Sequence, residues 1–231
     1  ALTLRGAAGL GKSRLVAEAR HRLGQRVTVR VLCCRQVEQE VALAPFRDLL
    51  EHLCGVGPES APETRTQRLR QCLARFRDLD PIHHGPLVWL VDREDEDETA
   101  GPGREATLAA VVALIRSLAG PPTLLIVEDG HWADDMTRAV LARLAAAPGE
   151  RPLGLWLTTR PEGAALPAGE AMDLAPLPPE RIRELVARAA VPAALSAEDR
   201  EWVAAAAEGV PLFAEALAWT GKPGDGDRPM A

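Results

Sequence analysis

An α/β fold with a parallel sheet, closed by an all-helical segment, is what this sequence predicts, and three observations carry the prediction. Short aliphatic or β-branched runs alternate with longer amphipathic stretches up to about residue 175, the signature of strands joined by crossover helices over a sheet covered on both faces. The first run opens directly into a glycine-rich turn followed by a helical stretch. After Pro176 the strand-like runs cease and three helical stretches follow.

Taken in order, Ala1 to Arg5 reads as a short strand, and Lys12 to Leu23 as a helix with Leu15, Val16, Ala19 and Leu23 on one face, closed by Gly24. Val27 to Cys34 is β-branched and apolar, which predicts a buried second strand. Pro45 starts a helix with an apolar stripe of Phe46, Leu49, Leu50 and Leu53. Another helix is expected from Thr64 to Leu79, and Leu87 to Val91 is apolar but of undecided type. Asp92 to Glu98 is an acidic run that reads as a solvated loop. Leu108, Val111, Val112, Ile115 and Leu118 mark a further helix, stopped by Gly120-Pro121-Pro122. Thr123 to Val127 is an apolar strand that runs into Glu128-Asp129, and Asp134 is placed to N-cap a helix reaching about Ala147. Leu153 to Thr158 is the next strand, with a short one near Ala171 to Leu174. Helices then follow from Pro179 to Ala190, from the capping box Ser196-Ala197-Glu198-Asp199 to Gly209, and from Pro211 to Trp219. The expected division is a core over residues 1–175, a helical lid over 176–220 and a disordered tail over 221–231.

Composition sets outer limits. The chain of 231 residues has a formal net charge of -6, and no lysine or arginine tract dominates one stretch. Nonspecific nucleic-acid binding, which needs a basic surface, is therefore not expected. No apolar run approaches membrane-spanning length and no signal peptide is visible. Cys33, Cys34, Cys54 and Cys72 form no C-x-x-C pair. They read as reduced thiols of a cytoplasmic protein, and a zinc site with His83 and His84 lacks ligand spacing. The chain opens almost at once on its first strand, which reads as an excised domain of a longer protein.

Chemistry concentrates in two places. Gly6-Ala7-Ala8-Gly9-Leu10-Gly11-Lys12-Ser13, followed by Arg14, fits G-x-x-x-x-G-K-[ST] at every defined position. Small residues let backbone N–H groups converge on phosphate oxygens, and the helix that follows points its positive end at them. Lys12 supplies a compact cation to the β- and γ-phosphates, and the Ser13 hydroxyl reaches a magnesium ion that keeps most of its waters. The expected ligand is a purine nucleoside triphosphate, as Mg-ATP. The second place is Glu128-Asp129, two carboxylates delivered to the carboxyl edge of the sheet, where open α/β sheets bind ligands. By order, Glu128 takes the metal role and Asp129 orients or deprotonates the attacking water.

The segment Glu128-Asp129-Gly130-His131-Trp132-Ala133-Asp134 resembles the extended Walker B segment of the signal-transduction ATPases with numerous domains, the STAND class. It is most similar to the AAA-type ATPase modules of large LuxR-type transcriptional regulators and bacterial multidomain adenylate cyclases. Ala44 to Leu50, Leu157 to Pro161 and Glu208 to Phe213 resemble further segments of those modules. The resemblance implies a P-loop NTPase core with strand order 5-1-4-3-2 and a small helical subdomain. It implies that Arg160 senses the γ-phosphate and that Pro211 packs near the adenine and couples nucleotide state to the lid. His131 and Asp134 would then lie near the phosphates or hold the loop after the strand. Those modules usually begin with a G-R-E-type segment that helps bind the base, and none is present here.

The leading functional reading is an ATP-driven switch module with slow hydrolysis, set among DNA-binding or cyclase domains of the same polypeptide and capable of nucleotide-dependent self-association. Two others stand beside it: a non-hydrolysing ATP-binding scaffold, and a small-molecule P-loop kinase, for which no arginine-rich lid stands out. A ring-forming AAA+ motor is disfavoured, because Gly209-Val210-Pro211 stands where such motors carry a sensor arginine.

Overall fold

The computed structural model describes residues 1–57, 59–92, 101–147, 152–163, 169–188 and 195–220. Its strands are β1 (Leu2–Arg5), β2 (Thr28–Cys33), β3 (Thr123–Glu128), β4 (Leu153–Thr159) and β5 (Glu170–Asp173). All strand pairings are parallel, and the order across the sheet is β2-β3-β4-β1-β5. This is the expected order, read from the opposite edge. The helices are α1 (Lys12–Leu23), α2 (Ala44–Cys54), α3 (Pro62–Leu73), α4 (His84–Asp92), α5 (Arg104–Leu118), α6 (Asp135–Ala146), α7 (Pro179–Arg188), α8 (Ala197–Ala206) and α9 (Pro211–Thr220).

Strand order and crossover handedness decide which helix lies on which face. The passages from β2 to β3, β3 to β4 and β4 to β5 all step in one direction across the sheet, and the passage from β1 to β2 steps back. Right-handed crossovers therefore place α2 to α6 on one face and α1 on the other. The side chains follow this division. Leu32, Leu125, Val127, Leu155 and Leu157 join residues of α2 to α6 in one continuous core. On the opposite face pleating aligns Val31, Ile126, Trp156 and Leu2 in one row, and Val29, Leu124 and Gly154 in the next. There only Ile126 is fully buried, Gly154 is exposed and the others are half-buried.

Three local expectations change, and one segment of undecided type is assigned. Leu15 is 41% exposed, because α1 buries only Lys12 and Val16 among its residues. The second strand is half-buried, because it forms the sheet edge. The helix expected to reach Leu79 ends at Leu73, and Leu79 is buried from the turn that follows. Leu87 to Val91 is helical and buries Leu87, Val88, Leu90 and Val91 under α5. The expected tail at 221–231 and the acidic run from Arg93 onward lie outside the described residues.

The last three helices form a second, smaller core from Ile182, Val186, Val203, Ala204, Ala207, Ala214 and Ala218. The amino end of α8 is closed by the expected capping box, with Ser196 and Asp199 each bonding the other's backbone N–H. Gly209 adopts φ +78 and lies against Leu177, where a Cβ would stand 2.5 Å from the Leu177 carbonyl oxygen. The chain turns there into α9.

Candidate nucleotide-binding site

The loop from Gly6 to Gly11 lies between the end of β1 and the start of α1. Gly9 and Gly11 take φ +80 and +91, a region that favours glycine. No side chain caps the amino end of α1, and no acidic residue lies in its first turn. Its leading N–H groups and its positive dipole end are thus left for an anion. Lys12, the first residue of the helix, folds back into the loop, where its Nζ donates to the carbonyls of Gly6 (2.7 Å) and Ala7 (3.0 Å). Only 8% of the residue is exposed. Burial lowers the pKa of Lys12, Asp129 and Glu162 act against that shift, and Arg160 adds to it. Ser13 and Arg14 are exposed on the following turn.

The carboxylates arrive as expected but differ from each other. Glu128 ends β3 on the face that carries α1, in register with Cys33. Burial pushes its carboxyl pKa up, the neighbouring charge of Asp129 pushes it further, and Arg20 opposes. Asp129 leaves the strand in a left-handed conformation, φ +52, which aspartate tolerates better than most residues. Its backbone N–H donates to the Thr158 hydroxyl at 3.0 Å, which ties the ends of β3 and β4 together. The carbonyl of Thr159 accepts from Gly6 N at 3.2 Å and ties β4 to the phosphate loop. Sequence reasoning missed Thr158. Only strand register reveals that it faces α1, in the same row as Glu128 and Leu4.

Arg160 follows β4, with its guanidinium carbon 5.9 Å from the centre of the Trp132 ring, and its charge acts on both Lys12 and His131. The His131 side chain is 6% exposed, and its Nδ1 stands 4.0 Å from Asp129 Oδ1. Neither ring nitrogen has a hydrogen-bond partner among the described residues, and burial lowers its pKa. Asp134 serves the start of α6. Its carboxylate caps α6 through Met136 N (2.8 Å) and Thr137 N (3.0 Å) and accepts from the Thr137 hydroxyl. It also accepts from Leu43 N (3.2 Å), which pins the start of α2 across 91 positions of sequence.

The helical segment touches the phosphate loop directly. Leu212 N donates to Gly9 O at 3.3 Å, and a Cβ on Gly9 would stand 2.8 Å from Val210 Cγ1. Pro211, between them, begins α9. No group of three or more His, Cys, Asp or Glu side chains that could hold a metal occurs among the described residues.

A glycine loop at the carboxyl edge of a parallel sheet, with a buried lysine inside it and carboxylates at the end of a nearby strand, defines a P-loop nucleotide-binding protein. The family model for the AAA ATPase domain matches residues 1–157, and the chain belongs to that family. It is a nucleotide-binding ATPase module, a class that typically works with Mg²⁺. Comparison with curated proteins gave no match. No helix among the described residues is long and apolar enough to cross a membrane.

Proposed function

We propose that this module binds Mg-ATP between the sheet edge and the helical segment, hydrolyses it slowly, and acts as a switch within a larger bacterial signalling or transcription-regulating protein of the STAND class. The contact of Val210 and Leu212 with Gly9 carries the switch reading. A ligand that reorders the loop acts on α9 without an intermediary, so ligand affinity differs with lid position. In this reading Gly6 to Ser13 and Arg14 surround the phosphates, Pro211 borders the base, and Arg160 reads the γ-phosphate.

Magnesium, when bound with the nucleotide, would supply charge neutralisation to the phosphates. The chain's own groups do the rest. Lys12 exchanges its bonds to the Gly6 and Ala7 carbonyls for phosphate oxygens. Ser13 and Glu128 would hold the metal, Glu128 from its half-buried place on the α1 face. Asp129 orients or deprotonates the attacking water, its backbone fixed by Thr158. The flanking domains that receive the signal, whether DNA-binding or cyclase, and nucleotide-dependent self-association belong to the same proposal.

Phosphate release and ATP binding by wild type and Asp129→Asn test the reading. Asp129→Asn is expected to keep ATP affinity and to lose at least about 100-fold in turnover, the scale of a lost general base. Equal release at background level by both proteins would contradict hydrolysis and leave an ATP-binding scaffold.

A further inference from the structure

A polar group buried without a partner opposes folding, so a native chain keeps one chiefly where another task requires it. His131 is such a group. Its side chain is 6% exposed, and neither ring nitrogen has a hydrogen-bond partner among the described residues. The ring is also confined. It lies against Trp132, with ring centres 4.8 Å apart. The turn after β4 closes on its root, where a Cβ on Gly163 would stand 2.7 Å from His131 Cβ and 2.8 Å from Thr159 Oγ1. That turn is held by Gly163 N, which donates to Arg160 O at 3.1 Å. Packing accounts for a ring at this position but not for its two nitrogens, since a phenyl group would fill similar space without the penalty.

Asp129 is the complement. Its backbone is pinned by the bond from its N–H to the Thr158 hydroxyl. Its side chain is 51% exposed, and its carboxylate accepts no hydrogen bond among the described residues. A carboxylate that orients or deprotonates water must be held in one direction. The carboxylates whose charge reaches His131 are those of Asp129 and Glu162. Asp129 places its Oδ1 4.0 Å from Nδ1 of the ring. That is roughly 1 Å longer than a hydrogen bond, and rotation of the exposed carboxylate can close it. Catalytic hydrogen bonds are often long before substrate binds and tighten afterwards. Burial lowers the His131 pKa, which keeps the ring neutral with a single proton to place.

We propose that His131 is a positioning residue: with nucleotide bound, its Nδ1–H donates to the Asp129 carboxylate and holds it towards the attacking water. The role rests on the hydrolytic reading above, whereas the hydrogen bond itself does not. The buried, confined imidazole supplies the direction that the exposed aspartate lacks. The neutral ring then carries its proton on Nδ1, the position being set by the bond it makes. An unconstrained histidine favours Nε2.

Two readouts on the whole chain test the proposal. The first is ATP turnover and affinity in wild type, His131→Leu, His131→Asn and His131→Gln. The Asn amide can donate from the place of Nδ1, and the Gln amide reaches the place of Nε2. His131→Leu is expected to keep its ATP affinity and to lose at least about tenfold in kcat, the scale of a misdirected catalytic group. His131→Asn should recover most of that loss and His131→Gln should not. The second readout is long-range proton–nitrogen NMR of the histidine rings, with the His131 signals identified by their loss in His131→Asn. With Mg²⁺ and a non-hydrolysable ATP analogue, wild type should show the Nδ1–H form and Asp129→Ala the Nε2–H form. Unchanged kcat in His131→Leu, equal rates for the Asn and Gln variants, or the Nε2–H form in nucleotide-bound wild type overturns the proposal. If His131→Leu fails to fold, the comparison of Asn with Gln and the tautomer decide. Background turnover in wild type would end the hydrolytic reading and the positioning role with it, and the tautomer would still show whether His131 holds Asp129.

Discussion

The two faces of the sheet are built from similar residues and serve different ends. On the α2–α6 face Leu32, Val127 and Leu157 are at most 2% exposed, sealed by five helices. On the α1 face Val31, Leu124 and Trp156 are half-buried under one helix, and of the residues in their two rows Ile126 alone is fully buried. The difference comes from strand order. Only the return passage from β1 to β2 crosses that face, and right-handed crossovers leave it a single helix. The face with many helices holds the fold together. The face with one carries the phosphate loop, with Glu128 and Thr158 at its carboxyl edge.

Truncations separate the two faces. Leu157→Ala is expected to cost about 3 kcal/mol in denaturant unfolding, in the range for a fully buried leucine, whereas Val29→Ala at the open edge should cost less than about 1 kcal/mol. Equal costs would mean that the α1 face is sealed after all. Asp134 comes next. Asp134→Ala removes an N-cap and leaves Leu43 N without its acceptor, for an expected loss of about 2 kcal/mol. Asp134→Asn, which keeps one oxygen, should lose less. A change in ATP affinity without any loss of stability would place Asp134 at the phosphates instead.

A further contrast is a matter of pH. Burial pushes the Cys34 thiol up to about 12, with the Asp134 charge as a lesser cause. The unfolded chain releases this proton near about 8.5. The stabilisation is therefore complete below that value and is lost as pH rises towards the folded value. Alkylation at about pH 8 should accordingly modify the more exposed Cys33 well before Cys34. Equal rates would mean that the two thiols share one environment.

The parts of the site fixed by local chemistry were legible in the sequence. The loop from Gly6 to Ser13, the carboxylate pair at Glu128-Asp129, the N-cap at Asp134 and the capping box at Ser196 each depend on residues close together in the chain. What could not be read depends on which strands lie side by side. Thr158 looks like an ordinary strand-end threonine until register sets it beside Asp129 N. Leu15 sits at a helical spacing that predicts burial, but the lone helix on its face has little to pack against. The apolar run of α4 is too short for its period to separate strand from helix. The role of Asp134 in holding Leu43 spans 91 residues and leaves no local trace.

The most direct test of the account is calorimetric titration of Mg-ATP into wild type and Lys12→Ala. Wild type should bind. Lys12→Ala should melt at nearly the same temperature and bind at least about 100-fold more weakly, the loss expected when a buried charge-assisted contact to phosphate is removed. Unchanged ATP affinity in a folded Lys12→Ala would contradict the assignment of the phosphate loop, and with it the site described here.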